Sequence, residues 1–455
     1  MVSTTELDDQ LSLDHPGNKK KKHVQIIEKT YQNNTDSDYT EKLEALGKSF
    51  DYNQNSNHYW GEPELSTLYG TPLYEQTTHS QKLALNHLYW VGQYNHTASA
   101  EANTMLYNQI TSGVFTKVSG YGTLCEELDF ETSQERHHIN TFQRIGYKTK
   151  IALLGKESLG NPLHKKLSNQ NKSNPLEQWL PKNPGLSQES LQDSSFRFVT
   201  KVMHMGKQDY YSRYLQEKGE TSIPTATGGL AGITGSASMF KFLSLNWGSS
   251  PFMAAQYYSA RMVANISLKA YEYRYYRQFK EHEKNDEFIP TPMAVSYYHL
   301  LDESFHTTMS QVISQDVYKD FAKPTAYETL LSNAIVYLIQ RGILGGLSGG
   351  IPVTFRDDAH FMPAYYRLLK SPVFNMSHEE ALHWMEKCLC QEHEGFNLNF
   401  KYHQSILSDM QRFFGRLDYL WPINREMRLM AKSGSIEQAI ERNVSAFKQF
   451  ATSVA

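Results

Sequence analysis

The sequence predicts an all-α protein: a bundle of four long helices, further helices covering it, and one loop-rich insertion. Three observations carry this prediction. Apolar residues recur every third or fourth position through Ser80–Ser112, Tyr121–Leu154, Ser250–Lys284 and a stretch centred on Tyr297–Met309, the spacing that lines one face of a helix. Each of the four places acids or histidines at the middle of its apolar stripe. Glu-x-x-His occurs twice in that setting, as Glu135 to His138 and as Glu303 to His306.

Residues 1–50 are polar, charged and poor in aromatics, which predicts a disordered or loosely ordered segment. From 51 onward a single helical-bundle domain is expected, opening with an aromatic wrap (HYWGEPELSTLYGTPLY) over the core. On the first long helix His87, Val91, Tyr94, Ala98, Glu101, Met105 and Asn108 share a face, with one acid at its middle. On the second, Leu124, Leu128, Glu131, Glu135, His138, Phe142 and Ile145 form a seam with apolar ends. Glu131 lies on that stripe as an alternative ligand, whereas His137 points roughly 100° away from His138. Residues 156–245 form the insertion: a proline-bearing polar run followed by Gly228–Gly235, which has neither a phosphate-binding loop's Lys-Ser/Thr nor a dinucleotide fingerprint.

On the third helix Asn265, Leu268, Glu272, Tyr275 and Phe279 share a face, and Phe288–Pro292 breaks the chain before the fourth. There His299, Glu303 and His306 sit at i, i+4 and i+7, within about 60° of one another. Tyr327–Gln340 predicts an apolar covering helix, Ser377-x-x-Glu380 a capping box opening another, and 395–415 and 436–452 amphipathic packing helices. His378 and His383 are about 140° apart on their helix and do not make a one-face zinc pair.

Composition narrows the function. A formal charge of −3 with no dense basic stripe argues against nucleic acid. Three cysteines in 455 residues make no disulfide framework, and no uninterrupted apolar run is long enough to span a membrane. The N-terminus has no apolar leader segment, so a cytoplasmic location is expected.

Carboxylates and imidazoles turned into a bundle are costly to bury unless something pairs with them, and a metal does so. Two Glu-x-x-His units and one further Glu from each of two other helices are the ligand set of four-helix di-iron carboxylate proteins. Here the set is Glu101, Glu135 with His138, Glu272, and His299 with Glu303 and His306. A purely structural polar network would have to satisfy all seven groups.

The order Glu … Glu-x-x-His … Glu … His-x-x-x-Glu-x-x-His resembles the p-aminobenzoate N-oxygenase family, the AurF-type di-iron oxygenases, with His299 its most specific mark. The resemblance implies a ferritin-like bundle, two Fe ions held by Glu101, Glu135, His138, Glu272, His299, Glu303 and His306, and O₂ as co-substrate. It implies N-oxygenation of an aryl amine towards a nitro product, with electrons from a ferredoxin or an NAD(P)H-dependent reductase. A homodimer is left open. The same core serves a di-iron hydroxylase or desaturase acting at carbon of an aromatic or acyl substrate, or a non-catalytic iron-binding bundle. The 133 residues between His138 and Glu272 exceed those of the family's shorter members and put the substrate pocket in doubt.

Overall fold

A computed structural model describes residues 21–156 and 237–454. Gly228–Gly235 and nearly all of the expected insertion lie outside the described residues. Among those described there is no strand, and the all-α prediction holds. The main helices are α1 Lys22–Asp36, α2 Thr40–Ser49, α3 His79–Phe115, α4 Gly122–Leu154, α5 Ala237–Trp247 and α6 Pro251–Asn285. They continue as α7 Thr291–Gln315, α8 Ala326–Gly342, α9 Met362–Lys370, α10 His378–Leu389, α11 Glu394–Phe414 and α12 Ile436–Val454.

The helix starts follow local chemistry. Thr78 and Gln81 form a reciprocal capping box that opens α3. Ser250 caps α6 ahead of Pro251, whose missing N–H costs nothing in a first turn. Asp286 ends α6 in the left-handed conformation, and Pro290 immediately precedes α7, which carries Pro292 in its first turn. The predicted box at Ser377 and Glu380 opens α10, and an analogous one at Thr325 and Glu328 opens α8.

Two antiparallel hairpins, α3 with α4 and α6 with α7, pack face to face, α3 meeting α6 and α4 meeting α7. Their interface is a continuous core that includes Trp90, Tyr94, Leu128, Phe142, Tyr258 and Tyr275. Helices α8 and α11 cover α6. A second, smaller core gathers α9, α10 and α12 around Leu68–Tyr74. Here the backbone of Gly70 turns at φ +73 and its carbonyl accepts the N–H of Gly395. A Cβ on Gly70 would lie 2.7 Å from that nitrogen, so the approach requires glycine.

The N-terminal expectation is corrected for residues 22–49. They form α1 and α2, which pack on α4 and α7 with Ile27 and Leu43 in the core. Both are short amphipathic helices with few aromatics, so their composition resembles that of an unfolded tail. Their stability comes from the bundle face they cover rather than from their own length.

Candidate metal centre

The centre lies midway along the four bundle helices. Glu101 comes from α3; Glu131, Glu135 and His138 from α4; Glu272 from α6; and His299, Glu303 and His306 from α7. All are buried. Their ligand-type atoms fall into two groups, Glu101 with His138, His299 and Glu303, and Glu131 with Glu135 and His306, each within 4.8 Å mutually. Two carboxylates face both groups. Glu303 Oε1 lies 3.6 Å from His299 Nε2 and 2.9 Å from His306 Nδ1. Glu135 approaches His138 Nδ1 at 3.6 Å and His306 Nδ1 at 3.5 Å.

The surrounding side chains set which ring nitrogen of each histidine faces inward. His138 Nε2 lies 3.2 Å from Asp302 Oδ2, so it donates there and leaves Nδ1, which has no partner, aimed at Glu101 and Glu135. His306 Nε2 lies 3.0 Å from the amide oxygen of Gln134, which can only accept. Its Nδ1 faces Glu303 Oε1 at 2.9 Å and Glu135 at 3.5 Å. His299 Nδ1 donates to Glu272 Oε1 at 2.7 Å, and its Nε2 faces Glu101 at 2.9 Å. Tyr94 donates to the same Glu272 oxygen at 2.6 Å. Fixing one ring nitrogen so that the other presents its lone pair is how metal-binding histidines are oriented.

The donor set fits a metal. Glu101, Glu131, Glu135, Glu272, Glu303 and Asp302 are buried, and among the described residues Arg261 is the guanidinium that pairs with any of them. Within the two groups, Glu101 Oε2, Glu131 Oε2 and Glu135 Oε2 are buried without a hydrogen-bond partner among the described residues. Orphaned carboxylate oxygens converging with imidazole nitrogens whose opposite nitrogens are already engaged are a cation site. The protons respond in the same sense. Burial alone would lower His138, yet the hydrogen bond to Asp302 and the Glu135 carboxylate beside it bring it up to about 9. The charges of Glu131 and Glu303 likewise overcome burial at His306 and raise it to about 10. Burial and the neighbouring Glu135 charge raise Glu101.

The structure brings all seven sequence-predicted residues into one buried cluster, but in unequal positions. Six stand within the two groups. Glu272 stands behind His299, on the opposite ring nitrogen from Glu101, and Glu131 occupies a place in the second group. Sequence reasoning missed Asp302, Gln134 and Arg261. Arg261 forms ion pairs with Glu131 and with Glu135, the latter at 3.2 Å. It was within reach of the periodicity, since 261, 265, 268 and 272 continue one stripe on α6. Asp302 and Gln134 each sit one residue before a predicted ligand and off its face, where spacing gives no signal.

A cavity of about 140 Å³ opens beside the cluster between α3, α6 and the 343–361 loop. Glu101, Glu135, Glu303 and Arg261 lie in its wall, with Val263, Leu268, Val353 and Phe355 among the apolar residues. Tyr94, Ala98, Tyr275 and Phe305, the sequence candidates near the ligand faces, do not line it. The first three are buried in packing.

The model of the family described as "Acyl halogenase CylC-like" covers residues 22–451. No curated protein and no solved structure matches the chain. The family match overturns the expected resemblance to AurF-type N-oxygenases, and with it N-oxygenation of an aryl amine. Motif spacing on the bundle helices reports which side chains meet at the centre and nothing about the walls of the substrate pocket. The acyl substrate and reaction at carbon, held open as an alternative, are closer to this family.

Proposed function

The chain belongs to the CylC-like acyl halogenase family, and on that premise we propose that it replaces a hydrogen of an acyl chain with a halogen at a centre of two iron ions. Glu101, His138, His299 and Glu303 would hold one iron and Glu131, Glu135 and His306 the other, with Glu135 and Glu303 facing both. The observation that carries this reading is the convergence of orphaned carboxylate oxygens with imidazole nitrogens whose opposite nitrogens are already engaged. Imidazole and carboxylate together suit iron, and histidine–carboxylate pairs on facing helices are the form such sites take in helical bundles.

When bound, iron supplies the redox chemistry that uses O₂ to cleave a C–H bond. The overall balance is R–H + X⁻ + O₂ + 2e⁻ + 3H⁺ → R–X + 2H₂O. Halide, O₂ and an external electron donor, a ferredoxin or an NAD(P)H-dependent reductase, are therefore required. The residues of this chain do the positioning. Asp302, Gln134 and Glu272 hold the three imidazoles by their outward N–H groups. Arg261 fixes Glu131 and Glu135. The apolar wall of the cavity would exclude bulk water and place an acyl chain against Glu101 and Glu303.

The test is to load the protein with Fe(II) anaerobically, add an acyl substrate, chloride or bromide, O₂ and a chemical reductant, and analyse the product by mass spectrometry. A product carrying the halogen isotope pattern, absent without halide, is expected. Hydroxylated product alone in the presence of halide would replace halogenation with carbon hydroxylation.

A further inference from the structure

The cavity beside the centre contains a second guanidinium that the metal site does not use. Arg356, on the 343–361 loop, lines the same cavity as Glu101, Glu135 and Glu303. Its Nε is buried without a partner, and among the described residues no hydrogen bond or ion pair reaches this side chain. The adjacent acid acts on it only through space, since the Asp357 carboxylate is engaged with His360 at 3.1 Å and Arg442 at 3.3 Å and forms no ion pair with Arg356. His96, also in the cavity wall, has a buried bare Nδ1. Burial and the charge of Arg356 hold His96 down at about 4, so at neutral pH it is an uncharged neighbour able to take part in a hydrogen bond.

A partly exposed guanidinium whose Nε is buried with no hydrogen-bond partner is an unfilled donor, and leaving it so is costly. Arg261, the other cation in this cavity, already has Glu131 and Glu135. The remainder of the wall includes Val263, Leu268, Val353 and Phe355. An apolar space with one unsatisfied cation is complementary to an amphiphile with an anionic head, and the guanidinium fork matches carboxylate or phosphate oxygens.

We propose that Arg356 anchors the anionic head group of the acyl substrate, a carboxylate or a phosphate, while the chain lies in the cavity toward Glu101 and Glu303. This rests on the acyl halogenase reading. His96 would contribute a neutral contact to the same head group. The shared chemistry has two sources, the carboxylate of a free fatty acid and the phosphate of a phosphopantetheine thioester arm.

The experiment measures binding by calorimetry to the full chain without turnover, for wild type, Arg356→Gln and Arg356→Lys. The ligands are octanoate, S-octanoyl-4′-phosphopantetheine, methyl octanoate and sodium chloride. Arg356→Gln should lose about tenfold or more in affinity for an anionic acyl ligand, the scale of a charge-assisted hydrogen bond. Arg356→Lys should recover part of it, and methyl octanoate should bind all three proteins alike. Loss confined to octanoate identifies a free acid, and loss confined to the phosphopantetheine ester identifies a carrier arm; either supports the anchor. Equal loss for the neutral ester, loss for chloride alone, or no loss with any ligand would overturn it. If wild type binds no acyl ligand while folded, the acyl reading itself fails rather than the assignment of Arg356.

Discussion

His306 donates its Nε2–H to Gln134 Oε1 at 3.0 Å, and Gln134 is itself held by α1: its Nε2 donates to Asn34 Oδ1 at 3.1 Å. Asn34 in turn donates to Glu127 Oε1 at 2.9 Å. A residue of the N-terminal helix thus fixes the ring of a proposed iron ligand through one intervening amide, which gives α1 a part in the centre it covers.

Replacing Gln134 with Leu should weaken iron binding by roughly 10- to 100-fold, the usual cost of losing an outer-shell partner. Gln134→Glu keeps an acceptor for His306 and should retain more iron than Gln134→Leu. Fe(II) titration with a competing chelator makes the comparison, and equal affinity in both variants and wild type would remove the role assigned to Gln134.

Arg261 is buried between Glu131 and Glu135. Arg261→Met leaves two buried carboxylates without their cation, so the metal-free protein should lose about 3 kcal/mol or more of stability. Bound iron would supply the missing positive charge, so the deficit should shrink in the loaded protein. Denaturant unfolding with and without Fe(II) checks this; an equal deficit in both states would place the effect in packing alone.

The two assignments that separate sequence from structure are Glu131 and Glu272. The lone central acid on its stripe drew attention to Glu272, and spacing could not show that the carboxyl stops at the far nitrogen of His299. Glu131 was visible only as one of two acids a turn apart. Glu131→Ala should reduce iron to about one per chain, whereas Glu272→Gln should retain both and change the affinity of the His299 site. Metal analysis of the purified variants decides; a loss of one iron on Glu272→Gln would restore Glu272 as a ligand.

Much of the fold was legible because the long helices carry strong 3.6-residue periodicity and clear terminal signals: the pair Ser377 and Glu380, and the proline break before α7. The cluster was legible because its members repeat at i, i+3, i+4 and i+7. What escaped was whatever depends on a second element. Asp302 matters only because α4 brings His138 to it, Asn34 only because α1 docks, and the cavity only because the 343–361 loop closes on α3 and α6.

One histidine away from the centre gives a pH prediction. His87 is buried, stacks on Trp60 at 4.1 Å, donates from Nε2 to the His58 carbonyl at 2.8 Å and accepts at Nδ1 from Tyr52 at 3.1 Å. Burial holds it down at about 4, below the ordinary value of about 6.5. The unfolded chain therefore binds the proton first. The stability contributed by neutral His87 is complete above pH about 6.5 and is lost as pH falls through about 4, by about 3 kcal/mol. His87→Gln should flatten the stability profile over that interval, and an unchanged slope would assign the acid sensitivity elsewhere.

Two irons should occupy the two clusters. Crystals grown anaerobically with Fe(II) and measured across the iron absorption edge test it directly. Two anomalous peaks are expected, one among Glu101, His138, His299 and Glu303 and the other among Glu131, Glu135 and His306. A single peak, or iron bound only outside these residues, would contradict it.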